Sequence, residues 1–402
     1  MNSPRAAENS HQKKNSRLAI SLGLAYIALS PYEGIVYFGR SLPFWAGLAF
    51  LVASLLSPRR QSYGWPAIPA TILGIWSILS LGWVENSATG RQAVLTLVNL
   101  LILSHELAVR LEGRILRICQ ILAINTVPLA IVVLATPADL EQRRTALGNA
   151  NDVATFFMVA CLANLFLIIK RGNLVGKLFH SAILLTIVAA LLATGSRAGA
   201  LTALIFAAAT VAWSRAHGAK RIATLAGGTF ATIIILQALP ERYIPVRLHT
   251  LTDEFVNGNW SERRIIWQDL WSSHIDILGA GIGQEAIAAE KTTGISLVAH
   301  NTLIQAYLEL GIIGALLLTQ IVLRSVKHAL QSPDRVPALP ILLAVLAEAS
   351  VLSLMERRVF WLAVGIAFTA RRRDTPVLLD RHKAHLDLTE PPQRRTLHYA
   401  HQ

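Results

Sequence analysis

His300 and Asn301 stand directly before a long apolar run, Thr302 to Leu323. An imidazole titrates near neutrality and can take a proton from a hydroxyl as that oxygen attacks. The polar stretch ahead of it carries Arg242, Arg247, Arg263 and Arg264. Guanidinium groups keep their charge in low dielectric and match phosphate oxygens with a fixed fork of donors. A base beside several fixed cations at a membrane surface predicts chemistry on an anionic, membrane-bound substrate.

Two arginines are sharper candidates than the rest. Arg197 sits in Thr194-Gly195-Ser196-Arg197-Ala198-Gly199, a tight small-residue turn between two apolar runs. Glycines there permit close backbone approach. The competing reading is an arginine that snorkels and caps the next helix. Arg263 opens a predicted amphipathic helix capped by Ser261, with Arg263, Trp267 and Trp271 recurring every four residues on one face. Arg264 points about 100° away from Arg263 and has a different job, or rests among lipid headgroups. Leu278-Gly279-Ala280-Gly281-Ile282-Gly283 lacks both the dinucleotide spacing and a Walker lysine, so it reads as a tight bend before the histidine.

These residues need a scaffold, and the scaffold is a membrane one. Hydrophobic residues make up 53% of the chain and charged ones 15%, with the apolar residues in long blocks. That pattern fits an all-α polytopic membrane protein. About twelve segments approach the roughly 20 residues a span needs. They lie near 18–38, 42–57, 67–83, 91–109, 114–136, 152–170, 177–194, 197–213, 219–238, 301–323, 336–353 and 357–370. The expected organisation is a cytoplasmic N-terminal tail over 1–17, a transmembrane domain over 18–370, and a cytoplasmic C-terminal tail over 371–402. Residues 239–299 are expected to form an outward-facing loop domain with short helices, between the ninth and tenth spans, periplasmic if the chain is bacterial. No small-residue cleavage site follows the basic N-terminus, so the first span is expected to stay as an anchor. Cys119 and Cys161 fall inside spans without metal-like spacing, so neither a disulfide framework nor a metal site is expected.

The net charge of +13 is mostly topology. With the N-terminus inside, most Lys and Arg fall on the inner side, as the positive-inside rule requires. Nucleic-acid binding is therefore not expected. The outward exceptions are Arg40, Arg91, Arg143, Arg144, Arg197, Arg242, Arg247, Arg263, Arg264, Lys291, Arg357 and Arg358. Any one of them could pair with a carboxylate or a lipid, but as a set around one loop they favour an anion site. Gly311 and Gly314, three apart, are expected on one helix face, where another span can approach and fix the helix that carries His300. Glu309 and Glu348 fall within or near spans and take no assigned role.

Four blocks together resemble the O-antigen ligase and polymerase superfamily of bacterial envelope glycosyltransferases. His300-Asn301, nine residues, then Gly311-Ile-Ile-Gly314 is similar to the ligases' histidine signature. Gly148-Asn-Ala-Asn151-Asp-Val-Ala154 enters a span. Gly195-Ser-Arg197-Ala-Gly199 lies between spans, and Arg263 precedes Trp267 by four residues. The likeness runs from about Thr145 to Gly314. It implies a multi-helix fold like that of C-type glycosyltransferases (GT-C) and a metal-independent, cofactor-free transfer on the periplasmic side of the bacterial inner membrane. The implied donor is a glycan on undecaprenyl pyrophosphate and the implied acceptor is lipid A–core. The implied roles are His300 as catalytic base and Arg197 and Arg263 on the pyrophosphate, with Asn301 and Arg264 as further substrate-binding candidates. The complete histidine signature and the compact length favour a ligase over a polymerase of the same superfamily.

Elementary chemistry agrees with that implication. A pyrophosphate-linked sugar already carries its leaving group, arginines can offset the charge of its departure, and a single displacement inverts the anomeric carbon. A transporter is the competing class. It predicts repeated halves or paired broken helices at the midplane, and the sequence has no clear repeat.

Overall fold

The computed structural model describes residues 4–58, 65–136, 149–215, 267, 277–293, 298–332 and 335–370. It is an all-α polytopic membrane protein. Its helices are α1 (Pro4–Leu29), α2 (Leu42–Leu55), α3 (Ala67–Leu79), α4 (Ser87–Arg110), α5 (Ile115–Ala135), α6 (Ala150–Lys170), α7 (Leu174–Ala193), α8 (Arg197–Arg215), α9 (Glu285–Thr293), α10 (Thr302–Gln331), α11 (Arg335–Ala349) and α12 (Arg358–Thr369). Among these, α4, α5, α6, α7 and α10 are long and apolar enough to cross a membrane; the other apolar helices are shorter. The expected span at 219–238 lies outside the described residues.

Short helices survive because of where they sit. Every residue of α12 from Val359 to Thr369 is buried, so it is sheathed by protein instead of lipid. It packs on α4, α10 and α11. Gly365 comes close to Ser104 and Leu107 of α4, and the Ser104 hydroxyl donates to the Trp361 carbonyl at 2.7 Å. The second central helix is α6, buried almost throughout and surrounded by α5, α7, α8 and α11. At the periphery, α7 exposes Leu174, Val175, Leu178, Phe179 and Leu185, the apolar face a lipid-facing helix presents.

Two expectations are corrected. The first span does not reach residue 38: α1 ends at Leu29, before Pro31, and Val36–Tyr37 pairs with Arg40–Ser41 as a small antiparallel ribbon. Phe38 and Gly39 both take positive φ (49° and 70°), which a two-residue hairpin turn demands. The run past Leu29 is therefore a series of turns leading into the hairpin rather than helix. Nor do Gly311 and Gly314 form a helical face for another span. Gly311 adopts φ 65°, ψ −168° and breaks α10. A side chain there would meet the backbone of Ile277 and Leu278, so the close neighbour is a loop.

Candidate functional site

The polar connections gather at one end of the bundle. Arg358 of α12 ion-pairs with Glu33 at 3.1 Å and donates to the Ser41 hydroxyl at 3.2 Å, joining the α1–α2 connection to α12. Arg357 pairs with Asp152 in the first turn of α6 at 3.2 Å. The Asn86 N–H donates to the Gln284 side-chain oxygen at 3.2 Å, and Lys291 pairs with Glu85, joining the α3–α4 connection to α9. The opposite end has its own ties: Arg110 donates to the carbonyls of Pro58 and Ser54 and pairs with Glu106.

His300 is part-buried and adopts φ 50°, one of two non-glycine residues with positive φ among the described residues. The left-handed region costs an L-residue about 1–2 kcal/mol and persists only where the surroundings impose it. Here both flanking residues are clamped. The N–H of Ala299 donates to Glu285 Oε1 at 2.9 Å, and its carbonyl accepts from the Trp267 indole at 3.0 Å. On the other side, Asn301 caps α10, its Oδ1 accepting the Leu303 and Ile304 N–H groups at 3.0 and 3.1 Å. The Asn301 amide also donates to the Ser350 carbonyl at 3.0 Å.

The segment after α11 is stitched to the same turn of α10. Thr302 donates its hydroxyl to the Leu352 carbonyl at 2.8 Å and accepts the Leu354 N–H at 2.9 Å; Gln305 accepts the Met355 N–H at 3.2 Å. Below, the break at Gly311 leaves helix carbonyls without their usual partners. Leu308 and Glu309 accept from the N–H groups of Ala280 and Gly281, both at 2.8 Å, and Leu310 accepts from the Trp76 indole at 2.8 Å. Gly279, Gly281 and Gly283 all take positive φ (72°, 92° and 74°), so this glycine segment is the bend read from the sequence.

Acidic groups lie under this shell. Glu285 is buried, and its Oε1 also accepts the Ser353 hydroxyl at 2.7 Å. Burial pushes its carboxyl up to about 7, with Glu356 adding to the rise, against the hydrogen bonds of Ser353 and Ala299 and the charge of Arg357. Burial likewise raises Glu356, with Arg357 opposing. Glu309, on α10, is fully buried and reached by the Gln305 amide at 3.4 Å. Glu348 of α11 is buried opposite Thr155 of α6, whose hydroxyl is 3.5 Å away.

Arg197 is the first residue of α8, after Ser196, whose hydroxyl accepts the Gly199 N–H at 3.3 Å and whose carbonyl accepts the Ala200 N–H at 3.1 Å. Ser196 thus caps that helix. Gly199 abuts Ala154 of α6, two residues past the Asp152 that pairs with Arg357. The start of α8 therefore shares the end of the bundle that holds His300. Arg263 and Arg264, with Arg143, Arg144, Arg242 and Arg247, lie outside the described residues. Arg357 and Arg358 are committed to Asp152 and Glu33, which removes these two from the expected anion-binding set and bears out the ordinary ion-pair reading for them. Glu285 and Ser353 escaped sequence reading because no spacing links a loop acid to a serine 68 positions on.

A helical membrane bundle with a clamped histidine and a polar shell at one end defines a polytopic protein with a candidate site at that end. Residues 182–319, from α7 through the break in α10, match the family model for O-antigen ligase (Wzy_C). That match supports membership of the O-antigen ligase superfamily and suggests a glycosyltransferase-like enzyme. No curated protein matches the chain.

Proposed function

We propose that this chain is an O-antigen ligase. It moves a glycan from undecaprenyl pyrophosphate to lipid A–core at the periplasmic face of the inner membrane, with both termini cytoplasmic. The observation that carries the reading is His300. A histidine held in a left-handed conformation between two clamped residues, within the family-matched segment, is a residue whose backbone the fold fixes at a cost.

The acceptor hydroxyl oxygen attacks the anomeric carbon of the donor, and His300 takes the hydroxyl proton. The bond from that carbon to pyrophosphate breaks, its electron pair leaves on undecaprenyl pyrophosphate, and the configuration inverts. Arg197 and Arg263 hold the departing pyrophosphate and offset its charge. Arg264 supports the donor. Asn301 caps the helix behind the base, so it serves by holding His300 as well as by any contact with sugar.

The test supplies lipid-linked glycan and lipid A–core without nucleotide and follows joined product. Wild type joins them. His300→Gln, which keeps hydrogen bonding but not basicity, is expected to be inactive while donor lipid still binds. Transfer by the Gln variant at close to the wild-type rate overturns the base assignment. Growth of glycan on a second lipid-linked repeat, with none on lipid A–core, makes the protein a polymerase instead.

A further inference from the structure

Glu285 lies fifteen positions before His300 and has no counterpart in the motifs that carry the resemblance. Its carboxylate is buried at the start of α9, and a single oxygen receives two donors: the Ala299 N–H at 2.9 Å and the Ser353 hydroxyl at 2.7 Å. The Ala299 carbonyl is held by Trp267 at 3.0 Å. Ala299 is itself fully buried and packs with Ala288, Ala289 and Leu308. Both polar groups of the residue that feeds into His300 are therefore fixed, and the histidine follows at φ 50°. Without an acceptor for the Ala299 N–H, a buried donor would be stranded, and the chain would turn to satisfy it. The neighbouring torsion, already unfavourable for histidine, is what such a turn would relax.

We propose that Glu285 is a positioning residue: acting through Ala299, it holds His300 in the left-handed conformation that aims the imidazole. This rests on the reading of His300 as the base. What Glu285 supplies is an acceptor oxygen at the right reach. Its charge is secondary, because both partners are neutral donors. Ser353 donates to the same oxygen and links α9 to the segment between α11 and α12.

Two substitutions separate reach from charge. Glu285→Gln keeps an oxygen at the same distance and loses the charge. Glu285→Asp keeps the charge and draws the oxygen back by about one bond length, ~1.5 Å. In full-length protein in lipid nanodiscs, Glu285→Gln is expected to keep turnover within about fivefold of wild type. Glu285→Asp is expected to lose roughly 10²-fold in kcat, the scale of a misplaced general base, with donor KM nearly unchanged. Hydrogen exchange of the Ala299 amide provides a readout that does not depend on transfer: slow in wild type and Gln, at least about tenfold faster in Asp. The reverse ranking, an active Asp variant and an inactive Gln variant, overturns the inference, as does unchanged kcat or unchanged exchange in Asp. His300→Ala is assayed alongside. If it is inactive while Glu285→Asp is normal, only the Glu285 inference falls. If His300→Ala transfers glycan normally, the base reading falls and takes this inference with it.

Discussion

Gly311→Ala is the substitution that tests the architecture around His300 most severely. Gly311 has φ 65° and ψ −168°, a region essentially reserved for glycine, where a side chain costs about 1–3 kcal/mol. Sterics add to that cost. The new methyl group would meet the carbonyl of Ile277 and the amide of Leu278, which are backbone atoms and cannot rotate away. Either α10 or the glycine segment must shift. A shift endangers three bonds, Ala280 to Leu308, Gly281 to Glu309 and Trp76 to Leu310, each at 2.8 Å. Losing one of them, with its buried carbonyl left unpaired, costs about 1–3 kcal/mol. Strain and one lost bond together come to roughly 4 kcal/mol, enough to lower the melting temperature by about 5–10 °C. The assay is thermal unfolding in nanodiscs beside transfer activity. Gly74→Ala is the control, because its methyl group would sit at an ordinary 3.7 Å from Leu101 in a regular helix, and it should be neutral or slightly stabilising. A Gly311→Ala protein that melts within about 2 °C of wild type and transfers normally would refute the account of the break.

Arg197→Ala and Arg263→Ala should each cut transfer strongly at normal expression, with Lys restoring only part of it because a point charge cannot reproduce the bidentate fork; near-normal transfer in both Ala variants removes the pyrophosphate role. For Glu285, a carboxyl raised from 4.5 to about 7 means the native state holds more protons than the unfolded state between those values, so stability falls as pH rises through that window. The difference of about 2.5 units corresponds to roughly 3 kcal/mol, and Glu285→Gln should flatten the pH profile of stability between about 4.5 and 7, with Glu356 and Arg357 the other charges that act on this group. Denaturation midpoints at pH 5 and pH 7.5 measure it, and parallel profiles contradict the burial argument. Arg358→Ala strips Glu33 of its partner at a part-buried site and should destabilise by about 2 kcal/mol, read as a lower melting temperature, with Glu33→Gln in the same chain recovering part of the loss. Cysteines introduced at exposed positions near Leu278 and Glu290 should react with a membrane-impermeant reagent from outside, whereas those after Arg371 should not; the reverse pattern inverts the topology.

The long helices were legible because length and apolar composition together leave few alternatives: α5 was expected at 114–136 and runs Ile115–Ala135. The helix start behind His300 was legible for a local reason, since Asn301 is a strong N-cap and begins α10 as one. The break at Gly311 was not. Glycine is tolerated in apolar helices, and the signal that it unwinds lies in Trp76 and the 277–281 segment, far away in the chain. The early end of α1 was hidden because Val36, Tyr37 and Phe38 are as apolar as a span, and Phe-Gly is not the usual hairpin dipeptide. The ion pairs Arg357–Asp152 and Arg358–Glu33 are products of helix packing, so no sequence window contains them.

The stitching of α10 to the segment after α11 has a consequence for how mutations will distribute. Asn301, Thr302 and Gln305 contribute side chains, but Ser350, Leu352, Leu354 and Met355 contribute only main-chain atoms to these bonds. Alanine retains every one of those main-chain groups. A scan by alanine will therefore pass over residues 350–355 as far as these bonds are concerned, while marking the three polar positions on α10 as sensitive. Proline at Leu354 or Met355, or a one-residue insertion, removes a donor or shifts the register, and will reveal the segment as part of the wall behind the histidine. Drift among relatives should follow the same asymmetry for these bonds: a fixed trio of side chains on α10, against partners whose side chains are constrained only by their own packing and, at Ser353, by Glu285.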